Sequence, residues 1–450
     1  MTKSARLSST LLVVLALGSA CAPKPAITEA DVRATMAALA APEMRGRGSA
    51  TADELRAAEY IAGRLEAMGV EPAGDAGGYL QQVEIQQQAF AEAPTLTIGA
   101  WRATHGAGFV VSRVDAGERS GPLQRWREGV AVTPGAMVLL PAGSRAGREV
   151  LAAGAAAVIY SDDLRFAEFY PQAQAQMPQL PPRIGGVSEA SGTTLILDAA
   201  STVALAKVAD GTPVRFAGPL AAPVVSLTHN VLGLIPGSDA AEQVVMLSAH
   251  YDHVGVDPTR AGDQVYDGAD DDASGVTAVL ELSRVLAAGK APKRTVLVAL
   301  FGSEELGLIG SRHFLDHPPL PLASIVANLE FEMIGRPDAA VPAQTLWLTG
   351  YSFSDLGPKL AAQGARLVDD PHPAENFFQR SDNYMLVQRG VIAHTISSFG
   401  LHDDYHQPSD DLSKIDFAHM TQAIASLQAP LRWLVDSGFT PQWNEGMPPK

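Results

Sequence analysis

The sequence predicts an α/β fold, a three-layer sandwich around a mostly parallel sheet, with a small β-rich module inserted. Three observations predict it. First, residues 244–249, 295–301 and 325–331 are largely apolar runs without the alternation of a half-exposed strand, the last somewhat more mixed. Second, a helical segment from Ser274 to Ala288, stopped by Gly289, separates the first two runs. Strands alternating with helices imply parallel neighbours with helices on both faces. Third, the character changes between about 90 and 223, where short β-like runs (137–140, 155–160, 195–197) are separated by Gly and Pro.

Composition bounds the rest. The chain has 450 residues, enough for about three domains, or for one large α/β domain plus something smaller. Hydrophobic residues make up 46% and charged residues 18%, which supports a sizeable core and excludes a disordered chain. Lys and Arg total 33 against 49 Asp and Glu, a net charge of −16 that argues against nucleic acid, whose phosphates need clustered cations. The single cysteine, Cys21, rules out an intrachain disulfide and any cysteine-based zinc site. Metal ligands, if there are any, must be His and carboxylate.

The N-terminus reads as a processing segment, residues 1–20. Lys3 and Arg6 precede an apolar stretch at 11–17, and Gly18-Ser19-Ala20 supplies small residues for cleavage. The expectation is an exported protein. Cys21 follows directly and resembles the lipid-bearing cysteine of a bacterial lipobox, although Gly18 stands where Leu is common. A lipid on Cys21 would then be the chain's contact with a membrane; ordinary cleavage after Ala20 is the alternative. Residues 51–68 predict a helix. Thr51 and Glu54 form a capping box, Leu55, Ala58, Ile61 and Leu65 share a face, and Gly69 ends it. The expected organisation is 21–89 and 226–436 for the main domain, 90–225 for the module, and a Pro-rich tail at 437–450 that frays.

The unusual residues sit at the predicted strand ends, where such sheets bind ligands. His250 follows the first strand, with Asp252 or His253 as a partner for its ring. Asp270, Asp271 and Asp272 precede a helix, where one capping carboxylate would suffice and three repel. Glu304 and Glu305 follow the second strand and can point different ways. Glu332 follows the third. His406 is the last candidate, beside Tyr405, with His402 as a rival. Each also reads blandly, as a cap, a loop carboxylate or a solvated pair. Together they are His and carboxylate groups gathered at one sheet edge. The charges of Asp271, Glu305 and Glu332 balance two Zn²⁺ and one hydroxide, whereas a single zinc would leave the site negative.

At these residues the sequence resembles the co-catalytic two-zinc aminopeptidase family, which also holds aminopeptidase Y, glutamate carboxypeptidase II and the transferrin receptor. The resemblance covers about 30–90 and 226–435, and the intervening module resembles the protease-associated (PA) domain. It implies His250 and Glu332 at one zinc, Glu305 and His406 at the second, and Asp271 bridging. It further implies Glu304 as general base, Tyr405 as donor to an oxyanion and Asp252 as the partner of His250. Two departures stand out. Glu332 replaces the family's usual Asp, and Ser381-Asp382-Asn383 replaces a frequent Ser-Asp-His. The implied activity is release of N-terminal residues from peptides by metal-activated water. Three rival readings sit on the same fold: a one-zinc acyltransferase like glutaminyl cyclase, a dipeptide carboxypeptidase, and a receptor-like binding protein. The sequence sets neither the preferred side chain nor the oligomeric state.

Overall fold

A computed structural model of the chain describes residues 26–167, 169–184 and 192–448. The N-terminal processing segment and Cys21 lie outside them. Eight strands build most of the main sheet: β1 (Leu80–Gln87), β2 (Val224–Ile235), β3 (Ala240–His250), β4 (Arg294–Phe301), β5 (Ile325–Phe331), β6 (Leu346–Leu348), β7 (Leu367–Asp369) and β8 (Ala393–Ser397). Their order is β7-β6-β8-β5-β3-β4-β2-β1; Arg183–Ile184 adds beside β1 and Glu71–Pro72 pairs with β2.

The sheet is mixed rather than mostly parallel. Its centre, β4-β3-β5-β8, is parallel throughout, and at one edge β6 is parallel to β7. β2 runs antiparallel to both β4 and β1, and β6 antiparallel to β8. The physical reason lies in the connections. β1 and β2 flank the inserted region, and Gln87 at the end of β1 pairs with Val224 at the start of β2. A chain that leaves and re-enters a sheet at one point must reverse direction.

Both faces of the central strands are covered, as continuous apolar runs require. Val245, Leu247 and Ala249 of β3 pack with helices α1 (Glu29–Leu39), α2 (Ala52–Ala67), α3 (Gly275–Ala287) and α6 (Phe417–Asp436). Val244 and Met246 point the other way, into a cluster with α4 (Ile309–Asp316) and α5 (Asp382–Val387). Eight further strands between 95 and 217 close into a barrel filled by Leu96, Phe109, Leu195 and Phe216.

Three local expectations need correction. Thr51 does accept from the amides of Asp53 and Glu54, but Glu54 does not accept from the Thr51 amide; its Oε2 takes the Ala50 amide at 3.0 Å and its Oε1 turns inward to Thr228 and Ser303. Ser274 makes no side-chain cap on α3. Asp272 Oδ1 accepts from Gly275 N at 2.9 Å instead, and Ser274 Oγ donates to the Asp270 carbonyl at 2.7 Å. The tail is tied down at residues 442–444. Trp443 packs on the core, Gln442 N donates to Asp355 Oδ1 (2.8 Å) and Asn444 Nδ2 to the Ser352 carbonyl (2.8 Å). Apolar burial of one tryptophan outweighs the local Pro content.

Candidate metal centre

The parallel strands deliver the side chains. His250 is the last residue of β3, Glu304 and Glu305 lie in the loop after β4, and Glu332 follows β5. Asp271 sits in the irregular turn before α3, and His406 in the loop after β8. Asp271 divides its oxygens between two groups. Its Oδ1 is 3.2 Å from His250 Nε2, and its Oδ2 is 3.2 Å from His406 Nε2. His406 Nε2 is also 3.0 Å from Glu305 Oε1. One group comprises His250, Asp271 and Glu332, the other His253, Asp271, Glu305 and His406, and within each the donor atoms lie within 4.8 Å of one another. All five residues expected to hold metal are thus brought together. His253, weighed above only as a partner for His250, joins them. His402 does not; its Nε2 is 3.0 Å from Asp270 Oδ2.

The electrostatics are those of a cation cage. Burial pushes the Glu332 carboxyl up to about 7, with Asp271 adding to the shift against the attraction of His250. Burial likewise raises Glu304 well above the usual carboxylate range, opposed by His250 and reinforced by Asp382, Glu305 and Glu332. Burial also works against charge on Asp271, Glu305 and His406, but there the partners prevail. His253, His250 and His406 hold Asp271 well down, His253 and His406 hold Glu305 at about 2, and Asp271 with Glu305 lift His406 to about 10. Buried carboxylates crowded this closely would otherwise be driven toward neutrality, and a divalent cation removes that cost. His406 Nε2, which faces Asp271 Oδ2 and Glu305 Oε1, is buried without a hydrogen-bond partner. An all-nitrogen-and-oxygen donor set of imidazoles and carboxylates suits Zn²⁺. The residues therefore fit a pair of such ions.

Asp252 departs from its expected part. His250 Nδ1 faces the Asp252 backbone carbonyl at 3.2 Å, and the carboxylate only at 3.7 Å. That carboxylate accepts instead from Glu304 N (2.9 Å), Glu305 N (3.3 Å) and Ser49 Oγ (2.6 Å). The amides of the glutamate loop outcompete the imidazole for it. Tyr405 stacks on His406, with ring centroids 4.0 Å apart, and lies beside Phe399. Burial and the nearby carboxylates, Asp271 first among them, raise its hydroxyl pKa, so it remains a donor. The donors open on a cavity walled by Met333, Trp347, Phe377 and Phe399, with Arg380 also lining it.

Two roles escaped the sequence reading, that of Arg47 and that of Glu54 beyond its place in the capping box. Arg47 is fully buried, and its guanidinium donates to the carbonyls of Tyr251 (2.7 Å), Asp267 (2.7 Å) and Gly268 (2.8 Å), tying together the loops that carry His250 and Asp271. Glu54 accepts from Ser303 N (2.8 Å) and Ser303 Oγ (2.9 Å). No local pattern marks these contacts, because the partners lie some two hundred residues away.

Fold and donor set define a class: an α/β protein with a candidate two-cation centre at the carboxyl ends of its central parallel strands. The model of peptidase family M28 matches residues 230–429, somewhat under half of the chain. The vacuolar membrane protease of Candida dubliniensis is 36% identical over 103 residues, covering 23% of this chain and 10% of the relative. Aminopeptidase YwaD of Bacillus subtilis is 34% identical over 110 residues, covering 24% and 22%. The chain thus spans well under half the length of these curated relatives. Among solved structures, an aminopeptidase from Aneurinibacillus sp. strain AM-1 superposes with a TM-score of 0.58 at 18% identity, covering 92% of this chain and 95% of that one. The zinc aminopeptidase BSAP from Bacillus subtilis gives 0.54 at 18% identity, covering 93% and 98%. At that identity the likeness establishes the fold.

Proposed function

We propose that the protein is a zinc-dependent aminopeptidase with two metal ions, exported and held to the cell envelope through Cys21, its barrel being a PA-like module. The observation that supports the reaction is Asp271, which presents one oxygen to each donor group beside the half-buried Glu304. Bound there, two zinc ions would supply Lewis acidity toward a scissile carbonyl and lower the pKa of water. The chain's own groups do the rest. Glu304, made a stronger base by burial, takes a proton from the attacking water and returns it to the leaving amine. The Tyr405 hydroxyl donates to the oxygen that gains charge in the tetrahedral state. The wall of Met333, Trp347, Phe377 and Phe399 excludes water and receives the apolar side chain of the N-terminal residue.

The test is a panel of aminoacyl amides and N-blocked peptides, assayed with and without chelator alongside elemental analysis. Expected are two zinc ions per chain, hydrolysis of free N-termini, and loss of activity on chelation. One zinc per chain with cyclisation of N-terminal Gln would replace this reading by the acyltransferase one, and cleavage only at free C-termini by the carboxypeptidase one. For the anchor, Cys21→Ser should shift the protein from the membrane to the soluble fraction; equal solubility of both forms would leave ordinary cleavage.

A further inference from the structure

We propose that His253 is a fourth protein donor at the Glu305–His406 position, so that the two metal positions are unequal: that one is closed by protein, and the His250–Glu332 position is open. The inference rests on the metal reading above. The His253 ring is fully buried, and its backbone is pinned on both sides, its N–H donating to the Arg47 carbonyl at 3.2 Å and its carbonyl accepting from Ser49 N at 3.3 Å. Gly268 lies against the ring so closely that a Cβ there would fall 2.6 Å from Cγ and Cδ2. The ring is therefore held in place.

What it is aimed at decides its role. His253 Nδ1 is 3.0 Å from Glu305 Oε1 and 3.7 Å from Asp271 Oδ2. His406 Nε2 is 3.0 Å and 3.2 Å from the same two oxygens. The two imidazoles thus straddle one pair of carboxylate oxygens, their rings 5.4 Å apart and steeply inclined at 79°. A tetrahedral zinc with bonds of about 2.0–2.1 Å keeps its donors about 3.3 Å apart. The four distances scatter around that edge. A histidine that merely donated to Glu305 would have no reason to face the Asp271 oxygen as well.

The other position has three protein donors, His250, Asp271 and Glu332. Structural zinc sites fill four places with protein, whereas catalytic ones keep a place open. The open place then belongs to the His250–Glu332 side. That is also the side that opens to the cavity, which His250, Glu304 and Glu332 line and His253 and His406 do not. The reactive position and the general base lie together, and the Glu305–His406 position serves as fixed positive charge.

X-ray absorption on the zinc-loaded wild-type protein tests this without any variant. Expected are three imidazoles shared between two zinc ions; two would overturn the proposal while leaving the two-metal reading intact. A wild-type chain that binds no zinc would overturn both. His253→Gln supplies a second readout, because its amide can still donate to Glu305 but ligates poorly. By equilibrium dialysis one of the two zinc ions should bind at least about 100-fold more weakly and the other unchanged. If both bind as in wild type, His253 is only a hydrogen-bond donor and the proposal fails.

Discussion

Glu304 and Glu305 are neighbours with opposite surroundings. Glu305 faces two imidazoles and is held charged, whereas Glu304 lies half-buried among other carboxylates and has a raised affinity for a proton. Glu304→Gln should therefore cut turnover by about 10²–10⁴-fold, the usual worth of a general acid–base group, with zinc content unchanged. Glu305→Gln should lose zinc, because a neutral amide is a poorer ligand. Turnover and bound metal measured on both variants decide, and the reverse pattern would mean the roles are exchanged. His394 makes a prediction of another kind. It is fully buried, Nδ1 2.7 Å from the Thr349 carbonyl and Nε2 2.8 Å from Ser354 Oγ, and burial pushes its pKa down to about 4. Unfolded, it titrates near 6.5. Between those values the unfolded chain binds the extra proton, so stability is full above pH 6.5 and falls as pH drops toward 4, by about 3 kcal/mol. Urea unfolding at pH 7 and pH 4.5 should show this loss, and His394→Gln should shrink it. An unchanged pH dependence in the variant would mean the imidazole finds a proton partner when folded.

At the scale of elements, the glutamate loop is positioned by two carboxylates from elsewhere. Ser303 N donates to Glu54 Oε1 (2.8 Å), Glu304 N to Asp252 Oδ1 (2.9 Å) and Glu305 N to Asp252 Oδ2 (3.3 Å), so three successive amides are captured. Ser303 itself has φ of 52°, a left-handed conformation that a serine holds only when its partners fix it. Glu54→Ala leaves the Ser303 amide and hydroxyl and the Thr228 hydroxyl without their acceptor. Expected are a loss of about 1–3 kcal/mol in stability and a fall in kcat that exceeds any rise in KM, because the loop that aims Glu304 loosens. Denaturant midpoints and steady-state kinetics measure both. A stability loss with kcat intact would make Glu54 a packing residue only. The sequence could not disclose this, since Thr51 and Glu54 already satisfied a local explanation, the capping box, and only tertiary contact shows the carboxylate turned inward. His253 stayed ambiguous for the same reason, its partners being set by the fold. The strand-end positions of His250, Glu304, Glu305 and Glu332 were legible because a strand buried on both faces writes itself as an unbroken apolar run. β1 was not, because its Leu80–Gln87 stretch holds only Leu80, Val83 and Ile85 among glutamines and a glutamate, too weak an alternation to mark a strand.

For the whole molecule, the change of composition near residue 90 was visible, but the far boundary was not. β2 is one continuous strand, exposed at Val224 and Val225 and buried from Thr228 to Leu232, so a boundary drawn at 225 cuts through it. Its pairing with β1 carries a consequence. Gln87 and Val224 are direct partners, so everything between them hangs from the two ends of what would otherwise be a hairpin. Antiparallel partners lie about 4.5–5.5 Å apart, a gap that a two-residue Asn-Gly turn closes. Replacing residues 88–223 by Asn-Gly should therefore leave a folded main domain. The cost is the contact between Ile184 and the buried Ile85, with the short pairing around it, about 1–3 kcal/mol of lost apolar burial. Every residue lining the cavity at the candidate metal centre lies between His250 and Tyr405, so the shortened chain should keep its zinc and hydrolyse small aminoacyl substrates with kcat/KM near that of the full chain. Longer peptides, which reach beyond that cavity, are where the barrel would show an influence. A shortened chain that is soluble and cooperative in unfolding but has lost zinc would show instead that the barrel braces the metal centre.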